Sequence, residues 1–327
     1  MRYGSVTDAA QEPGEITDFG ILPALAELIA LRPQRAADGY RKQPILAGNP
    51  GQHAAPHRSR GMEFAEVRPY QPGDDFRTVD WRQTARRGRL YTKLFDEERE
   101  RPVLLLVDLG PSMRFGTRGA FKSVVAARAA AWLAWRAVAA GDRVGGIIWN
   151  GGVARQIRPQ GRDHGALQLI HGLLETASSP PAGAGQRTLA APLRRLRHLP
   201  ERGSMIVLIS DFTGLDNDAE RQIASLAKGA ELSLLHICDP FESDVPPPGF
   251  YPVTDGAQRR ILDLHSAAGR ARHAAAFATR CNGLAALARQ NAISRLQLAT
   301  NADLKRTLAT AFIDNARFPP PATRTAP

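Results

Sequence analysis

The sequence contains little cysteine and no long hydrophobic run. Only Cys238 and Cys281 occur, which is too few for a zinc site built from four thiolates, and we expect both to be buried, unreactive thiols. The longest apolar runs, Val103–Val107 and Met205–Ile209, are far shorter than the ~20 residues that a membrane-spanning helix requires. The N-terminal residues lack the basic start and the apolar stretch of a signal peptide. These features predict a cytoplasmic protein without a membrane segment.

Lysine is also scarce, although the chain is strongly basic. Only five of its 43 basic residues are lysine, so arginine supplies 38 of them, and the formal net charge is +11. A surplus of this size raises nucleic acid as a partner. The arginines are spread along the chain without a compact basic block, which favours a compositional bias. Nucleic-acid binding through arginine therefore remains an alternative rather than the leading interpretation.

The distribution of apolar residues, proline and glycine predicts four segments in this chain of 327 residues. Residues 1–60 are expected to form a short helix, near Ile21–Ala30, followed by a mobile loop. Residues 61–101 are expected to form a small β-containing module, and residues 102–315 the main folded domain. Residues 316–327 are expected to form a disordered tail.

The module over residues 61–101 combines two extended stretches with a turn-rich centre. The centre brings carboxylates, a guanidinium and a large aromatic side chain together in a short stretch: Asp74, Asp75, Arg77, Asp80 and Trp81. Both signs of charge beside an aromatic ring suit a partner-binding surface. The same groups also suit an internal salt-bridge network that fixes the turns of the module. The sequence leaves both interpretations open.

Residues 102–315 alternate apolar strands with amphipathic helices. A continuous apolar run, as expected for a parallel strand covered on both faces, occurs at Val103–Leu109, and further strands are predicted at Val144–Trp149, Met205–Ser210 and Leu232–Cys238. Helices are predicted between the strands, the first at Ala120–Ala140, and Ile293–Leu298 is a candidate edge strand. Repeated strand–helix units with right-handed crossovers predict an α/β fold with a doubly wound, mainly parallel sheet.

Two of these strands end in aspartate, at Asp108 and Asp211. Ligands bind beyond the carboxyl ends of the strands in such sheets, so these two carboxylates mark a candidate site. Ser112 follows the first aspartate in a loop, and Thr188 begins a predicted helix, so their hydroxyls add oxygen donors suited to Mg²⁺. The alternative is that both aspartates cap the helices that follow them.

These oxygen-bearing residues resemble a known metal site. Their order and context are similar to the metal-ion-dependent adhesion site (MIDAS) of von Willebrand factor A domains, in which Asp-x-Ser-x-Ser, a threonine and a second aspartate lie on three loops. The resemblance implies a divalent cation, Mg²⁺ in particular, bound at Asp108, Ser112, Thr188 and Asp211. Gly110 stands where the pattern has its first serine, so a water molecule would complete the site at a cost in affinity.

The segment before the first strand carries further motifs. They are Gly61-Met62-Glu63-Phe64, Arg68-Pro69-Tyr70, Gly73-Asp74-Asp75-Phe76-Arg77, Asp80-Trp81, Arg89-Leu90-Tyr91 and Glu98-Arg99. Over residues 60–315 the chain resembles the bacterial domain-of-unknown-function family fifty-eight, whose members are von Willebrand factor A-like proteins. The resemblance implies an adaptor or co-chaperone that works with a MoxR-type AAA+ ATPase on an unknown protein client.

The signatures of common enzymes are missing. The sequence has no Gly-x-x-x-x-Gly-Lys-Ser/Thr, His-Glu-x-x-His or Gly-x-Ser-x-Gly motif. We therefore predict a non-enzymatic interaction module whose cation is completed by a carboxylate of the partner, with the segment from Asp74 to Trp81 as a second surface toward the ATPase. A metal-dependent phosphate-ester hydrolase is the alternative, because carboxylates at strand ends also suit that chemistry.

Overall fold

The chain divides into two compact units, one of residues 43–100 and one of residues 1–42 with 101–327. The computed structural model describes residues 20–33, 62–71, 74, 76–97, 100–180, 188–201, 203–254 and 259–312. The predicted mobile loop before residue 61 and the predicted tail over 316–327 lie outside these ranges. Among the helices of the described ranges, none combines the length and the apolar character needed to cross a bilayer.

The described residues form the following helices and strands. The strands are β1 Met62–Pro69, β2 Tyr91–Glu97, β3 Pro102–Asp108, β4 Arg143–Trp149, β5 Ala154–Gln160, β6 Met205–Ser210, β7 Glu231–Cys238, β8 Phe250–Thr254, β9 Arg259–Asp263 and β10 Ser294–Ala299. The helices are α1 Leu25–Ala30, α2 Trp81–Arg87, α3 Lys122–Ala139, α4 Arg162–Ser178, α5 Ala190–Leu196, α6 Asn217–Ala227, α7 Pro240–Ser243, α8 Ala267–Gln290 and α9 Leu304–Phe312.

The larger unit is built on a six-stranded sheet in the order β10-β7-β6-β3-β4-β5. Its neighbouring strands are parallel, except that β5 returns antiparallel to β4 after the Asn150-Gly151-Gly152 turn. The predicted edge strand is present as β10. These observations confirm the predicted α/β class with a mainly parallel sheet.

Helices cover both faces of this sheet because its inner strands are apolar on both sides. Along β3, Val103 and Leu105 pack with the core that includes α3 and α4, whereas Leu104 and Leu106 pack with the core that includes α5, α6 and α8. Side chains alternate between the faces of a strand, so one continuous apolar run supplies both cores. The sheet is therefore doubly wound.

Helix α1 packs against α3 within the larger unit. The indole of Trp135 donates a hydrogen bond to the Leu28 carbonyl (3.0 Å), and Arg128 pairs with Glu27 (2.6 Å). The Leu28 side chain is fully buried in the core. The predicted N-terminal helix is thus tied to the main domain by an apolar side chain and two polar contacts.

Two features differ from the sequence predictions. The antiparallel pair β8 and β9 was not among the predicted strands, because these strands are short and largely exposed and so lack a continuous apolar run. Cys238 is buried, and this burial raises the pKa of its thiol to about 11, as expected for an unreactive cysteine. Cys281 is only partly buried, so the expectation that both thiols are buried was wrong for that residue.

Candidate functional site

The carboxyl ends of β3 and β6 bring the two predicted aspartates to one edge of the sheet. Because the two strands are parallel neighbours, Asp108 ends β3 and Asp211 follows β6 at the same level. The Ser112 hydroxyl, from the turn after β3, donates to Asp211 Oδ1 (3.2 Å). The structure therefore joins three of the four predicted metal ligands. We call Asp108, Ser112 and Asp211, together with Lys122 and Glu242, the strand-tip site.

Asp108 is held by groups of its own loop and of the neighbouring strand. Its Oδ2 accepts a hydrogen bond from the Ser210 hydroxyl (2.6 Å), and its Oδ1 accepts one from the Gly110 backbone N–H (2.8 Å). A Cβ atom at position 110 would lie 2.9 Å from Oδ1, closer than such atoms ordinarily approach. Glycine at this position therefore permits the contact that fixes the carboxylate.

Thr188, the fourth predicted ligand, has a different partner. Its hydroxyl donates to Asp216 Oδ2 (2.5 Å), and the other Asp216 oxygen accepts from the Ala219 N–H at the start of α6 (2.7 Å). The hydrogen bonds of the described residues thus connect Thr188 to a helix cap rather than to Asp108 or Asp211.

Lys122, which the sequence analysis did not single out, supplies a cation to this site. Its ammonium nitrogen lies 2.8 Å from Asp211 Oδ2 and 3.0 Å from both oxygens of Glu242. The side chain is only 2% exposed, and its ammonium lies 5.6 Å from the centre of the Phe115 ring. In the sequence, the only indication is a lysine at the start of the alanine- and valine-rich helix α3. Its partners lie about 90 and 120 residues away along the chain, so the sequence pattern does not reveal that this lysine is buried and paired.

Glu242 is itself fixed by a third aspartate at a strand end. Asp239 follows β7 and forms a capping box with Glu242 at the start of α7. Hydroxyls from two loops, those of Thr117 (2.5 Å) and Thr300 (2.7 Å), donate to the Asp239 carboxylate. Arg280 of α8 also donates to Glu242 (3.3 Å). The strand-tip site is therefore built from the ends of three adjacent strands, β3, β6 and β7.

The buried charges shift each other's protonation. Burial, and next the nearby Asp211 charge, raise the pKa of Asp108 to about 7. Burial alone would raise the pKa of Asp211 too, but the charge and hydrogen bond of Lys122 hold it below its ordinary value. The carboxylates of Asp211 and Glu242 outweigh burial and raise the pKa of Lys122. At neutral pH, Lys122 is therefore an ammonium paired with an ionised Asp211.

This arrangement does not fit a divalent cation. Mg²⁺ requires several oxygen ligands in near-octahedral geometry, yet Asp211 and Glu242 already accept hydrogen bonds from Lys122. Gly110 supplies no side-chain oxygen. Within the described ranges, no group of three or more histidine, cysteine, aspartate or glutamate residues is arranged to hold a metal ion. Metal binding at the four predicted positions stays a prediction.

In the smaller unit, two of the predicted partner-binding residues hold local turns. Asp74 accepts from the Arg68 guanidinium (2.7 Å) and from the Gln71 N–H (2.9 Å). Asp80 caps α2 by accepting from the backbone N–H groups of its first turn (3.0 and 3.1 Å). These contacts are of the kind that the salt-bridge interpretation of this segment predicts. Asp75 lies outside the described residues.

An exposed group of aromatic rings lies beside that helix. Trp81 is 62% exposed and Phe76 55% exposed, with ring centres 6.0 Å apart, and Phe76 meets Tyr70 edge to face at 5.6 Å. We call these three residues the aromatic patch. Arg77 is exposed at the same turn. The sequence pointed to Trp81 here but not to Phe76, which lies in the short helical turn Phe76–Thr78, where no residue is buried.

Residues 66–283 match the family described as protein of unknown function DUF58. An uncharacterized protein of Mycobacterium tuberculosis and one of Mycobacterium bovis are each 34% identical to this chain over 239 residues, which is 72% of this chain and 71% of each relative. YeaD of Bacillus subtilis is 41% identical over 73 residues, 22% of this chain and 17% of that protein.

Two solved structures are similar at low sequence identity. BatB from Bacteroides thetaiotaomicron is 15% identical with a TM-score of 0.39, and the match covers 66% of this chain and 98% of BatB. The SpRpn10 VWA domain is 10% identical with a TM-score of 0.39, and the match covers 65% of this chain and 95% of that domain. The family match and the mycobacterial relatives decide the assignment: this chain belongs to the DUF58 family.

Proposed function

We propose that this chain is a non-enzymatic adaptor or co-chaperone that works in the cytoplasm with a MoxR-type AAA+ ATPase and a protein client. The chain belongs to the DUF58 family. The sequence resemblance to this family implies an adaptor or co-chaperone role, and this supports the proposal. The engagement of Asp108 and Asp211 in hydrogen bonds and an ion pair also favours a non-enzymatic role over a hydrolase.

The observation that carries the proposal is the aromatic patch. Tryptophan, tyrosine and arginine are the residues most enriched at binding hot spots, and a contiguous exposed apolar patch marks an interaction site in a way that scattered exposed residues do not. On α2, next to Trp81, the side chains of Arg82, Arg86 and Arg87 are exposed. The patch therefore suits an acidic protein surface, on which the rings pack and the guanidinium groups pair with carboxylates.

The carboxyl edge of the sheet is the second proposed contact. Ser112 is partly exposed there and Thr213 is exposed beside Asp211, so the rim of the strand-tip site offers hydroxyl groups to a partner. The sequence predicted that a Mg²⁺ ion would bridge this edge to a carboxylate of the partner. We propose that the partner contacts this edge without a bridging metal ion, because the donors do not fit one.

The experiment uses the purified full chain and the purified MoxR-type ATPase from the same organism, with binding measured by calorimetry. Replacing both Phe76 and Trp81 with alanine should weaken binding at least about tenfold, because it removes the aromatic anchor. Phe250→Ala is the matched control, since Phe250 is 64% exposed in the larger unit, and it should leave the affinity unchanged. Equal affinities for wild type and the double variant, or no binding by wild type, would contradict the proposal.

A further inference from the structure

Three strand ends of the larger unit enclose one buried ammonium group. Lys122 begins α3 after the β3 loop, Asp211 follows β6, and Glu242 lies in α7 after β7. The ammonium contacts both carboxylates at 2.8 to 3.0 Å. We propose that Lys122 is the permanent cation of the strand-tip site and takes the place of the divalent ion that the sequence predicts.

The two carboxylates that contact Lys122 are paired with cations without a metal ion. Asp211 and Glu242 have the side-chain nitrogens of Lys122 and Arg280 within 3.3 Å of their oxygens. A divalent cation between the same carboxylates would meet the ammonium at close range in a site shielded from water, where repulsion between like charges is strong. Binding the ion would therefore require Lys122 to leave.

The fold holds Lys122 in place rather than letting it leave. Its backbone N–H donates to the Phe115 carbonyl (2.8 Å), and the Phe115 ring lies beside its ammonium. Glu242, which accepts from it, is anchored in turn by the Asp239 N–H (3.1 Å). Asp211, the other acceptor, is held by the Thr213 N–H (2.9 Å), so both acceptors are fixed by contacts outside the site, as a built cation position requires.

The consequence is that any contact made at this edge is independent of divalent metal. This part of the inference rests on the proposed function, because it concerns how the partner binds. A tethered ammonium also keeps one charge state in the presence of chelators, whereas a metal site is emptied by them.

Removing the ammonium supplies the sharpest test. Lys122→Ala vacates the position between the carboxylates of Asp211 and Glu242, whose oxygens are hard donors of the kind that Mg²⁺ and Mn²⁺ prefer. The variant should therefore gain an affinity for Mn²⁺ that the wild type lacks. Lys228→Ala is the matched control, because Lys228 is exposed at the end of α6.

The experiment measures Mn²⁺ binding by electron paramagnetic resonance and Tm with MnCl₂ or EDTA, on the full chain. Wild type and Lys228→Ala should bind no stoichiometric Mn²⁺ at millimolar concentration, and their Tm should not change with EDTA. Lys122→Ala should have a lower Tm in EDTA and recover several degrees in MnCl₂. If this variant does not fold, the wild-type measurement alone decides.

Two results would overturn the inference. One is a wild type that binds one Mn²⁺ per chain and loses it on Asp108→Asn, and the other is a folded Lys122→Ala variant whose Tm does not respond to Mn²⁺. Binding to the ATPase is scored separately, with and without EDTA and without nucleotide. Binding to the ATPase that EDTA does not change supports both proposals. Absence of ATPase binding would contradict the proposed function, but it would not affect the conclusion from the Mn²⁺ measurement.

Discussion

The ammonium of Lys122 lies 2.8 Å from a carboxylate oxygen of Asp211, and both side chains are almost completely buried. A buried ion pair forms only where its partners are well placed and further polar groups complete the hydrogen bonding. Here Glu242 and Ser112 provide those groups. The pair joins the start of α3 to the end of β6, so it shapes the edge of the sheet where ligands of this fold class bind.

Replacing the lysine should destabilise the fold strongly. Lys122→Met leaves the buried Asp211 carboxylate without its ammonium partner, which should lower the free energy of unfolding by about 3–5 kcal/mol. Urea denaturation measures this value, and Lys228→Met should stay within about 0.5 kcal/mol of wild type as an exposed control. A loss below about 1 kcal/mol for Lys122→Met would show that the buried pair contributes little to stability.

His236 makes stability depend on pH in the acidic range. Its ring is fully buried on β7, stacked on Phe277 (5.9 Å), and neither ring nitrogen has a hydrogen-bond partner within the described residues. Burial, and next the Arg280 charge, lower its pKa to about 4 from 6.5. Between pH 6.5 and pH 4 the unfolded chain therefore binds a proton at this histidine, whereas the folded chain does not. The free energy of unfolding is unaffected by this group above pH 6.5 and falls by about 3 kcal/mol as the pH is lowered toward 4.

His236→Phe isolates that effect. The variant keeps the aromatic stacking and removes the titration. The difference between its free energy of unfolding and that of wild type should therefore increase in favour of the variant as the pH falls from 6.5 to 4. Denaturation at several pH values measures the difference. His198→Ala, at an exposed position, should follow the wild-type pH profile. A constant difference between His236→Phe and wild type over this range would refute the expected titration.

Asp108 should act in the opposite direction. Its folded pKa of about 7 exceeds the ordinary value of 3.8, so the folded chain holds a proton that the unfolded chain releases. Its stabilising effect is full below pH 3.8 and is lost as the pH rises through 7, by about 4 kcal/mol. Asp108→Asn should therefore gain stability relative to wild type between pH 4 and 8. A bound metal predicts the reverse, since the variant would then lose a ligand at high pH.

The backbone of the neighbouring strand leaves no room for a side chain at Gly146. This residue lies in β4 with φ +144°, and a Cβ there would overlap the carbonyl oxygen of Leu105 on β3. Gly146→Ala should lower the free energy of unfolding by more than about 3 kcal/mol. Gly283 lies inside α8 with open space around it, so Gly283→Ala should raise stability by about 0.5–1 kcal/mol. Similar effects of the two substitutions in denaturant titrations would count against the strand spacing described here.

The sheet and the convergence of two aspartates could be predicted because both depend on local patterns. The apolar runs of β3 and β6 indicate parallel strands, and the carboxyl ends of such strands meet at one edge. Asp108 and Asp211 therefore lie together as expected. Thr188 shows the limit of this reasoning, since a motif position does not decide whether a hydroxyl faces the site or a neighbouring cap at Asp216.

The rest of the site depends on contacts between distant residues. Lys122 looks from sequence like a surface position at a helix start, and only the fold reveals that Asp211 and Glu242 surround it. Helix α2 lay within a segment predicted as turns, although its ends carry ordinary signals, an Asp80 N-cap and Gly88 in the left-handed region at φ 67°. A seven-residue helix with no buried side chain gives too weak a periodicity to be recognised.

A crystal structure of the full chain grown in MnCl₂, with anomalous diffraction recorded at the manganese edge, tests the nature of the strand-tip cation most directly. We expect the Lys122 ammonium between Asp211 and Glu242 and no anomalous peak at that position. A peak bonded to the carboxylates of Asp108 and Asp211, with the ammonium turned away from them, would contradict the assignment of Lys122 as the cation.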